Sequence, residues 1–375
     1  MSGNWTAWGR ERLAALADER LRRTLRPFDA RGPVGRLDAE DRDVVAFASN
    51  DYLGLSAHPA PIAAAHEALE RWGTGAGASR LVTGSRPIHH ELEAELADWK
   101  LTDRALVFPT GYQANMGALG VFAGAGTTIV SDELNHASVI DAARLARGDV
   151  RVYPHADVAA AERLLSAADR AVLVTDAVFS MDGDVAPLTE LAAACTRHDA
   201  LLVVDEAHAV FELPPLPGDC EVVRMGTLSK TLGSLGGYLA GPEPLIELLV
   251  STARSFVYTT ALPPAAAAAA LAALRVCRSD EGEQLRARLR RHLDRLDPAA
   301  PTPIVPLVLG AEETALRASE TLLAEGLLVP AIRPPTVPDG TSRLRITLSA
   351  AHTDNQVAHL AEALKHLPVQ PPARR

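Results

Sequence analysis

The stretch ALLVVDEAHAVFELPPLPGDCEVVRMGTLSKTLGSLGG, residues 200–237, decides the fold. It holds two short runs, Leu201–Val204 and Glu221–Met225, which are rich in Val and Leu and are bounded by polar residues. Runs of this kind are typical of strands that are buried on both faces of a parallel sheet. In open parallel sheets, ligands bind at the carboxyl ends of the strands. The stretch therefore predicts that two strands point three side chains at one crevice: Asp205, His208 and Lys230.

On the N-terminal side of this stretch, strand candidates alternate with helical segments. Apolar runs at 105–108, 127–130 and 171–175 are each followed by polar residues and then by a helical pattern. Strand, loop and helix in repetition predict βαβ units with helices on both faces of the sheet. We therefore expect an α/β fold built on a mostly parallel sheet.

Composition divides the chain into four segments. Residues 10–26 alternate charged residues with Leu and Ala at helical spacing, which predicts an amphipathic arm. After about residue 261 come a long helical stretch, 263–296, and then short mixed elements, which together predict a smaller α+β domain. The expected segments are an N-terminal helical arm at 1–45, a large domain at 46–262, a small C-terminal domain at 263–367 and a loose tail at 368–375.

Bulk properties exclude several classes of protein. The 375 residues carry a formal net charge of -10, which argues against a nucleic-acid partner, because such a partner needs a basic face. The N-terminus lacks the apolar core of a signal peptide. The apolar run 265–274 is far shorter than the roughly 20 residues of a membrane span. Three cysteines without metal-ligand spacing predict free thiols, no metal site and a cytoplasmic location.

The polar residues of the crevice fit one cofactor. Pyridoxal 5'-phosphate needs a lysine amine for a Schiff base and an acidic partner for its pyridine nitrogen. It also needs backbone N–H groups at a helix start to bind its phosphate. Lys230 can supply the amine and Asp205 the acid, while Gly111 and Tyr112 open a helical segment that can bind the phosphate.

Other interpretations of the same residues give different proteins. The tetrapeptide 205–208 also spells the acidic motif of one helicase class, which requires an upstream G-x-x-x-x-G-K-[ST] loop. The nearest match, GTLSKT at 226–231, lies downstream and has Ser229 where glycine is required, so the helicase interpretation fails. Taken singly, a lysine in a glycine-rich turn is usually just exposed, and His136 and His208 also fit structural, hydrogen-bonded roles.

Six motifs in order along residues 20–365 carry a specific resemblance. The chain resembles the α-oxoamine synthases, pyridoxal-phosphate enzymes of fold type I that condense an amino acid with an acyl thioester and release carbon dioxide. That resemblance makes 46–262 the cofactor-binding domain. The motifs are NDYLG (50–54), SRLVTG (79–84), NHAS (135–138), FSMDGD (179–184), DEAH (205–208) and TLSK (227–230).

The resemblance also implies substrates. IRPPTVP (332–338) followed by SRLR (342–345) is most similar to the family branch of biotin biosynthesis. That branch joins L-alanine to a pimeloyl thioester carried by coenzyme A or an acyl-carrier protein. The alternatives are a family member that uses glycine or a different thioester, and a degenerate member without activity.

Residue roles follow from the same resemblance. The implied catalytic residues are Lys230, which holds the cofactor, Asp205, His136 and His208. The implied cofactor contacts are Gly111, Tyr112, His136, Ser180, Asp205, His208, Thr227, Lys230 and Thr260. Thr260 resembles a threonine that reaches the phosphate of the neighbouring subunit, which implies a homodimer with shared active sites. The implied substrate contacts are Arg22, Asn50, Thr336 and Arg345.

One segment departs from the family pattern. After the histidine of DEAH the family continues with a glycine-rich segment, whereas this chain continues with AVFELPP at 209–215. The connection to Val222 is also shortened. We therefore expect the departure to affect acyl-donor preference rather than the cofactor residues.

Overall fold

The computed structural model describes residues 4–19, 21–37 and 41–367, so the predicted tail at 368–375 lies outside the described residues. The helices are α1 (Trp5–Asp18), α2 (Pro59–Trp72), α3 (Pro87–Lys100), α4 (Gly111–Phe122), α5 (Ala137–Leu145), α6 (Val158–Ser166), α7 (Leu188–Arg197), α8 (Glu243–Thr252), α9 (Arg254–Val257), α10 (Pro264–Cys277), α11 (Asp280–Leu296), α12 (Glu312–Ala324) and α13 (Asp354–Lys365). The strands are β1 (Phe28–Arg31), β2 (Val34–Leu37), β3 (Arg42–Ala46), β4 (Arg104–Phe108), β5 (Thr128–Asp132), β6 (Asp149–Tyr153), β7 (Ala171–Asp176), β8 (Leu201–Asp205), β9 (Val222–Thr227), β10 (Gly237–Gly241), β11 (Ile304–Gly310), β12 (Leu327–Leu328), β13 (Ala331–Ile332) and β14 (Ser342–Thr347).

A seven-stranded sheet in the order β4-β10-β9-β8-β7-β5-β6 forms the centre of the molecule. Strands β9, β8, β7, β5 and β6 pair in parallel, and β10 is antiparallel to both of its neighbours. The connection from β9 to β10, residues 228–236, is shorter than the dozen or more residues of a parallel crossover, so β10 must turn back. The predicted α/β fold with a mostly parallel sheet is confirmed.

The register of the central strands places two acids side by side. Every residue of β7 is buried, and β8 is buried from Leu202 onward, as expected for strands covered on both faces. Asp176 at the end of β7 pairs with Asp205 at the end of β8. Neighbouring residues in register point to the same face of a sheet. Because each acid is also the last residue of its strand, both carboxylates lie together at the carboxyl edge.

The prediction of a helical arm over 1–45 is wrong beyond α1. Strands β1, β2 and β3 form an antiparallel meander, and β3 also pairs in parallel with β12 near the other end of the chain. The β1–β2 turn contains Gly32 at φ +73°, a conformation that glycine adopts without strain. The β-branched Val34, Val44 and Val45 favour strands. The alternation of charged and apolar residues therefore predicted a helix correctly only in the first part of the arm.

The C-terminal part is α+β, with a three-stranded sheet in the order β11-β14-β13. The long helical stretch predicted over 263–296 is two helices, α10 and α11. Ser279 has an extended backbone before α11, and acidic residues in the first turn of α11 complement the helix dipole. Buried residues from both sides of residue 262 share one core cluster, including Tyr52 and Leu344. Across the described residues, no helix is both long and apolar enough to cross a membrane.

Candidate active site

A crevice of about 250 Å³ lies at the carboxyl edge of the central sheet. Its walls come from the end of β8, the start of α4, the start of α5 and the β9–β10 connection. The structure brings together in it seven of the residues singled out from sequence: Gly111, Tyr112, His136, Asp205, His208, Thr227 and Lys230.

Lys230 is the one amine-bearing side chain of this crevice. The chain has three lysines; Lys100 pairs with Glu206 and Lys365 pairs with Glu362, both outside the crevice. Burial lowers the pKa of Lys230 to about 8, although the carboxylates of the crevice oppose the shift. An amine with such a pKa is partly neutral near physiological pH, and it can act as a nucleophile or a base.

A chain of hydrogen bonds leads from Lys230 to Arg345. Lys230 Nζ donates to His208 Nε2 at 2.7 Å, and His208 Nδ1 lies 2.5 Å from the Tyr52 hydroxyl. The hydroxyl is 3.5 Å from Asn50 Oδ1, which also accepts from Arg345 Nη2 at 3.2 Å. Burial, and then the charges of Lys230 and Arg345, lower the pKa of His208 well below its usual value. Neutral His208 with its proton on Nδ1 satisfies this whole chain.

Arg345 on β14 is oriented by three hydrogen bonds. Its guanidinium donates to the Ser180 carbonyl, to Thr347 Oγ1 at 2.9 Å and to Asn50. Only 5% of its surface is exposed, and burial lowers its pKa. A guanidinium carries five N–H donors in a rigid fork, so donors beyond these three remain to bind a carboxylate.

Asp205 is held as a buried hydrogen-bond acceptor. Asn115, one turn into α4, donates from Nδ2 to Asp205 Oδ2 at 2.8 Å and to Ser138 Oγ at 2.9 Å. Asp205 Oδ1 accepts from the Ala207 amide at 2.9 Å. Both oxygens thus have fixed directions, and the carboxylate can pair with a protonated ring nitrogen in the crevice.

Asp176 is a second buried carboxyl group in the crevice wall. Burial, and then the charge of Asp205, raise its pKa well above the usual range. Its Oδ2 accepts from the backbone N–H of His136 at 3.0 Å. His136 in turn accepts from the Ser138 amide through Nδ1, at 3.2 Å. These two bonds hold the first turn of α5, and with it the His136 ring, against the crevice.

The other end of the crevice offers backbone donors. Thr110 caps α4, and the first N–H groups of a helix have no intrahelical partner and attract anions. A Cβ on Gly237 would lie 2.5 Å from Gly111 Cα, so only glycine lets β10 approach the start of α4 this closely. Thr227 Oγ1 donates to the Gly236 carbonyl at 2.9 Å and keeps the β9–β10 connection folded against it. The amine of Lys230, the carboxylate of Asp205 and the backbone N–H groups at the start of α4 together match the needs of pyridoxal phosphate.

The structure does not bring the remaining predicted residues into the crevice. Arg22 and Thr336 line a separate groove of about 680 Å³ between the segment after α1 and residues 331–336. Thr260 is exposed, and Ser180 reaches the network through its backbone carbonyl. Asn50 joins through its bond to Arg345.

Sequence reasoning missed three residues of the site. Asp176 ends a strand directly before a loop, which is the same signal that identified Asp205. Asn115 stands four residues after Gly111, and residues at that spacing share a helix face. Tyr52 lies inside the quoted NDYLG motif, but its contact with His208 spans 156 residues and leaves no local pattern.

Comparison with known proteins places this site in a family. The model of the family described as aminotransferase class I and II matches residues 42–364. The chain belongs to that family. A relative from Methylorubrum extorquens (strain PA1), named 8-amino-7-oxononanoate synthase, is 49% identical over 373 residues, which are 98% of this chain and 97% of that protein. A relative of the same name from Anaeromyxobacter sp. (strain K) is 49% identical and covers 98% of each chain.

Solved structures agree with the fold. Serine palmitoyltransferase from S. paucimobilis, solved as a variant with a bound PLP–myriocin aldimine, superposes with a TM-score of 0.88 at 28% identity over 95% of each chain. The 8-amino-7-oxononanoate synthase of Francisella tularensis gives a TM-score of 0.71 at 25% identity, over 86% of this chain and 96% of that one. The resemblance drawn from the motifs is confirmed at the level of family and fold.

Proposed function

We propose that the protein is a pyridoxal-phosphate-dependent acyltransferase of biotin biosynthesis. It condenses L-alanine with a pimeloyl thioester to give 8-amino-7-oxononanoate, carbon dioxide and the free thiol. The observation that carries the proposal is the lone crevice lysine, Lys230, with a pKa of about 8 and a hydrogen bond to neutral His208. The names of the relatives that match nearly the full chain support the same reaction.

Four groups of the crevice would hold the cofactor. Lys230 would bind it covalently, Asp205 would pair with the ring nitrogen, His136 would cover the ring, and the start of α4 with Thr227 would bind the phosphate. The cofactor contact of Ser180 stays a prediction, because Ser180 joins the network only through its backbone carbonyl. When bound, pyridoxal phosphate supplies an electron sink that stabilises negative charge on the α-carbon of the amino acid. The hydrogen bond from Asn115 would hold Asp205 aimed at the ring.

Arg345 would bind the carboxylate of alanine. Its guanidinium plane is fixed by Asn50, Thr347 and the Ser180 carbonyl, so the remaining donors form a preorganised fork. Binding there costs little ordering of the side chain, because the fork is already in place. The carboxylate is later lost as carbon dioxide, and this cationic site is where it would be held until then.

Lys230 would move the protons, and His208 would orient it. Neutral Lys230 Nζ accepts the α-proton of alanine and returns a proton later in the reaction. His208 Nε2 accepts a hydrogen bond from Lys230, which would keep the lone pair of Lys230 Nζ directed at the α-proton of alanine. Tyr52 fixes the His208 tautomer through Nδ1, so His208 cannot compete for the proton by turning its ring.

The acyl donor would enter past the groove lined by Arg22 and Thr336. Apolar walls from Leu13, Leu16 and Ile332 suit a hydrocarbon chain, and Arg22 supplies a positive charge. We propose that the thiol carrier, coenzyme A or an acyl-carrier protein, stays outside this groove.

The enzyme would act as a cytoplasmic homodimer with shared sites. Thr260 is exposed and lies outside the crevice of its own chain, as a residue that serves a neighbouring subunit must. The three cysteines are free thiols, which suits a reducing compartment. Sedimentation of the cofactor-loaded protein at micromolar concentration tests the dimer, and a monomer there excludes the shared site.

A product assay tests the function directly. Purified protein is given L-alanine, glycine or L-serine with acyl thioesters of graded chain length, and the products are identified by mass spectrometry. We expect 8-amino-7-oxononanoate from alanine and the pimeloyl thioester as the dominant product. The Lys230→Ala variant should lose both activity and the visible absorbance of the bound cofactor. The matched Lys365→Ala variant, at an exposed lysine, should keep both.

The outcomes separate the remaining alternatives. A dominant product from glycine or serine would identify a different α-oxoamine synthase, an alternative that the relatives do not favour. Cofactor absorbance with no product from any pair would identify a degenerate member. Absorbance that survives in Lys230→Ala would refute the assignment of the lysine.

A further inference from the structure

A second cavity, of about 810 Å³, lies beside the crevice but shares no lining residue with it. The atypical segment 209–216 forms one wall, and the ends of α3 and α10 and the first half of α11 form the others. Asp205 and Lys230 line the crevice, whereas the next residues, Glu206 and Thr231, line the cavity. The segments that follow β8 and β9 therefore line both the crevice and the cavity. A volume of this size is in the range of small-molecule sites, roughly 300–1,000 Å³.

The floor of the cavity carries an excess positive charge. Glu206, with a side chain that is 1% exposed, accepts from Lys100 at 2.6 Å and from Arg224 at 2.5 Å. Burial opposes the charge on Lys100 and on Glu206. The pairing nevertheless raises the pKa of Lys100 and lowers that of Glu206, so each stays ionised. Two cations thus share one carboxylate, and the buried triad is left with one uncompensated positive charge.

Two buried polar groups of the cavity lining lack partners. Within the described part of the chain, Thr231 Oγ1 and Arg290 Nη2 are buried without any hydrogen bond. Thr231 is 6% exposed, and the rest of the Arg290 guanidinium is held by Asp294 and the Ala300 carbonyl. A buried polar group without a partner destabilises the folded state. Both atoms are closed off from the cavity in this structure, and a rotation of either side chain would bring its donor to an acceptor placed there.

Apolar residues form much of the remaining lining, together with the charged Glu212, Arg278, Glu283 and Arg286. Segment 209–216 contributes Val210, Phe211, Leu213 and two prolines, and α3 contributes Trp99. The Phe211 ring packs 5.8 Å from the Arg290 guanidinium carbon, which places an apolar surface beside the free donor. A ligand that suits this space has an anionic head for the triad and the two donors, and a hydrocarbon body for the walls.

We propose that this cavity binds a small amphiphilic anion, a medium-chain molecule with a carboxylate or phosphate head. The head accepts hydrogen bonds from Thr231 and Arg290 near the triad, and the chain packs on segment 209–216. The site is separate from the cofactor crevice and from the groove of Arg22. Segment 209–216, the part of the β8–β9 connection that departs from the family pattern, forms one of its walls.

Isothermal titration of the cofactor-loaded, full-length protein tests the site. The probes are octanoate, octyl phosphate, 1-octanol and inorganic phosphate. We expect octanoate or octyl phosphate to bind with one molecule per chain, and the neutral alcohol and the bare ion to bind at least tenfold more weakly. Whichever anion binds more tightly identifies the head group. Thr231→Val, which keeps the side-chain shape, should weaken binding about tenfold, the effect of one hydrogen bond to a charged group.

Three variants serve as controls. Thr231→Ser keeps the hydroxyl and should bind like the parent protein. Arg290→Met removes the second free donor at similar volume and should also weaken binding about tenfold or more. Arg22→Ala should bind normally, since Arg22 lines the other groove. Without ligand, Thr231→Val should melt no lower than the parent, because it removes an unpartnered buried hydroxyl.

Four results would overturn the proposal. These are the absence of binding by either amphiphilic anion, equal affinity for 1-octanol, unchanged affinity in both Thr231→Val and Arg290→Met, and loss of binding in Arg22→Ala alone. The last result would place the probe in the groove beside residues 331–336.

Discussion

The protonation of Lys230 gives the sharpest test of the site. Burial lowers its pKa to about 8. At pH 7, a pKa of 8 leaves roughly one amine in ten neutral, against about one in 2,500 for an unperturbed lysine of pKa 10.4. Cofactor-free protein should therefore present roughly two hundred times more neutral amine at position 230 than an exposed lysine presents. The rate of cofactor uptake should rise with pH and level off above about 8.

Two assays check this prediction. The first follows visible absorbance as the cofactor-free protein takes up pyridoxal phosphate between pH 6 and 10. The second is trace acetylation followed by peptide mass spectrometry, which resolves all three lysines and uses exposed Lys365 as the internal reference. The reasoning is refuted if Lys230 acetylation has the same pH midpoint as Lys365. Bound cofactor should protect Lys230 and leave Lys365 unchanged.

Three further predictions concern stability and cofactor binding. Burial lowers the pKa of His352 to about 4, so between pH 6.5 and 4 the unfolded chain binds a proton that the folded chain does not bind. The free energy of unfolding should therefore fall by up to roughly 3 kcal/mol as the pH is lowered across that window. In urea titrations, the stability of His352→Gln should depend less on pH over the same range. Glu206→Gln leaves Lys100 and Arg224 without their shared carboxylate and should lower the free energy of unfolding in urea by about 3–5 kcal/mol. Lys100→Met should lower it less, because Arg224 still pairs with Glu206. Equal losses in the two variants would contradict the triad. Gly237→Ala forces its Cβ against the first residue of α4 and should weaken cofactor binding by at least about tenfold in equilibrium dialysis. Gly120→Ala, with open space around it, should bind normally.

The sequence predicted the features that depend on local patterns. Buried runs followed by polar residues located β7, β8 and β9, and the switch-point rule then placed Asp205, His208 and Lys230 in one crevice. The need for backbone donors at a helix start added Gly111, and the motif resemblance added His136 and Thr227; all three line that crevice. These residues follow strands or open helices, so their positions in the chain determine their positions in space.

Features that depend on distant partners could not be predicted. The contact of Tyr52 with His208 and the bond of Arg345 to Asn50 span 156 and 295 residues. The three strands in 28–46 were missed because charged residues alternate with apolar ones in both helices and exposed strands. The pairing of these strands with one another and with β12 selects the strand conformation. The cavity of segment 209–216 could not be predicted either, because the atypical sequence of this segment does not show which surfaces it leaves uncovered.

The pairing of β3 with β12 has a consequence for synthesis on the ribosome. The Arg42 side chain donates to the Leu323 carbonyl, 281 residues later in the chain, beside the paired strands. At about 5–20 residues per second, translation of that interval takes roughly 15–55 seconds. Throughout that time the meander of β1–β3 has an open edge with no strand to cover it, and unpaired edges recruit other chains. Nascent chains are thus most prone to aggregate before residue 328 emerges, and a chaperone that shields the first 46 residues should raise the yield.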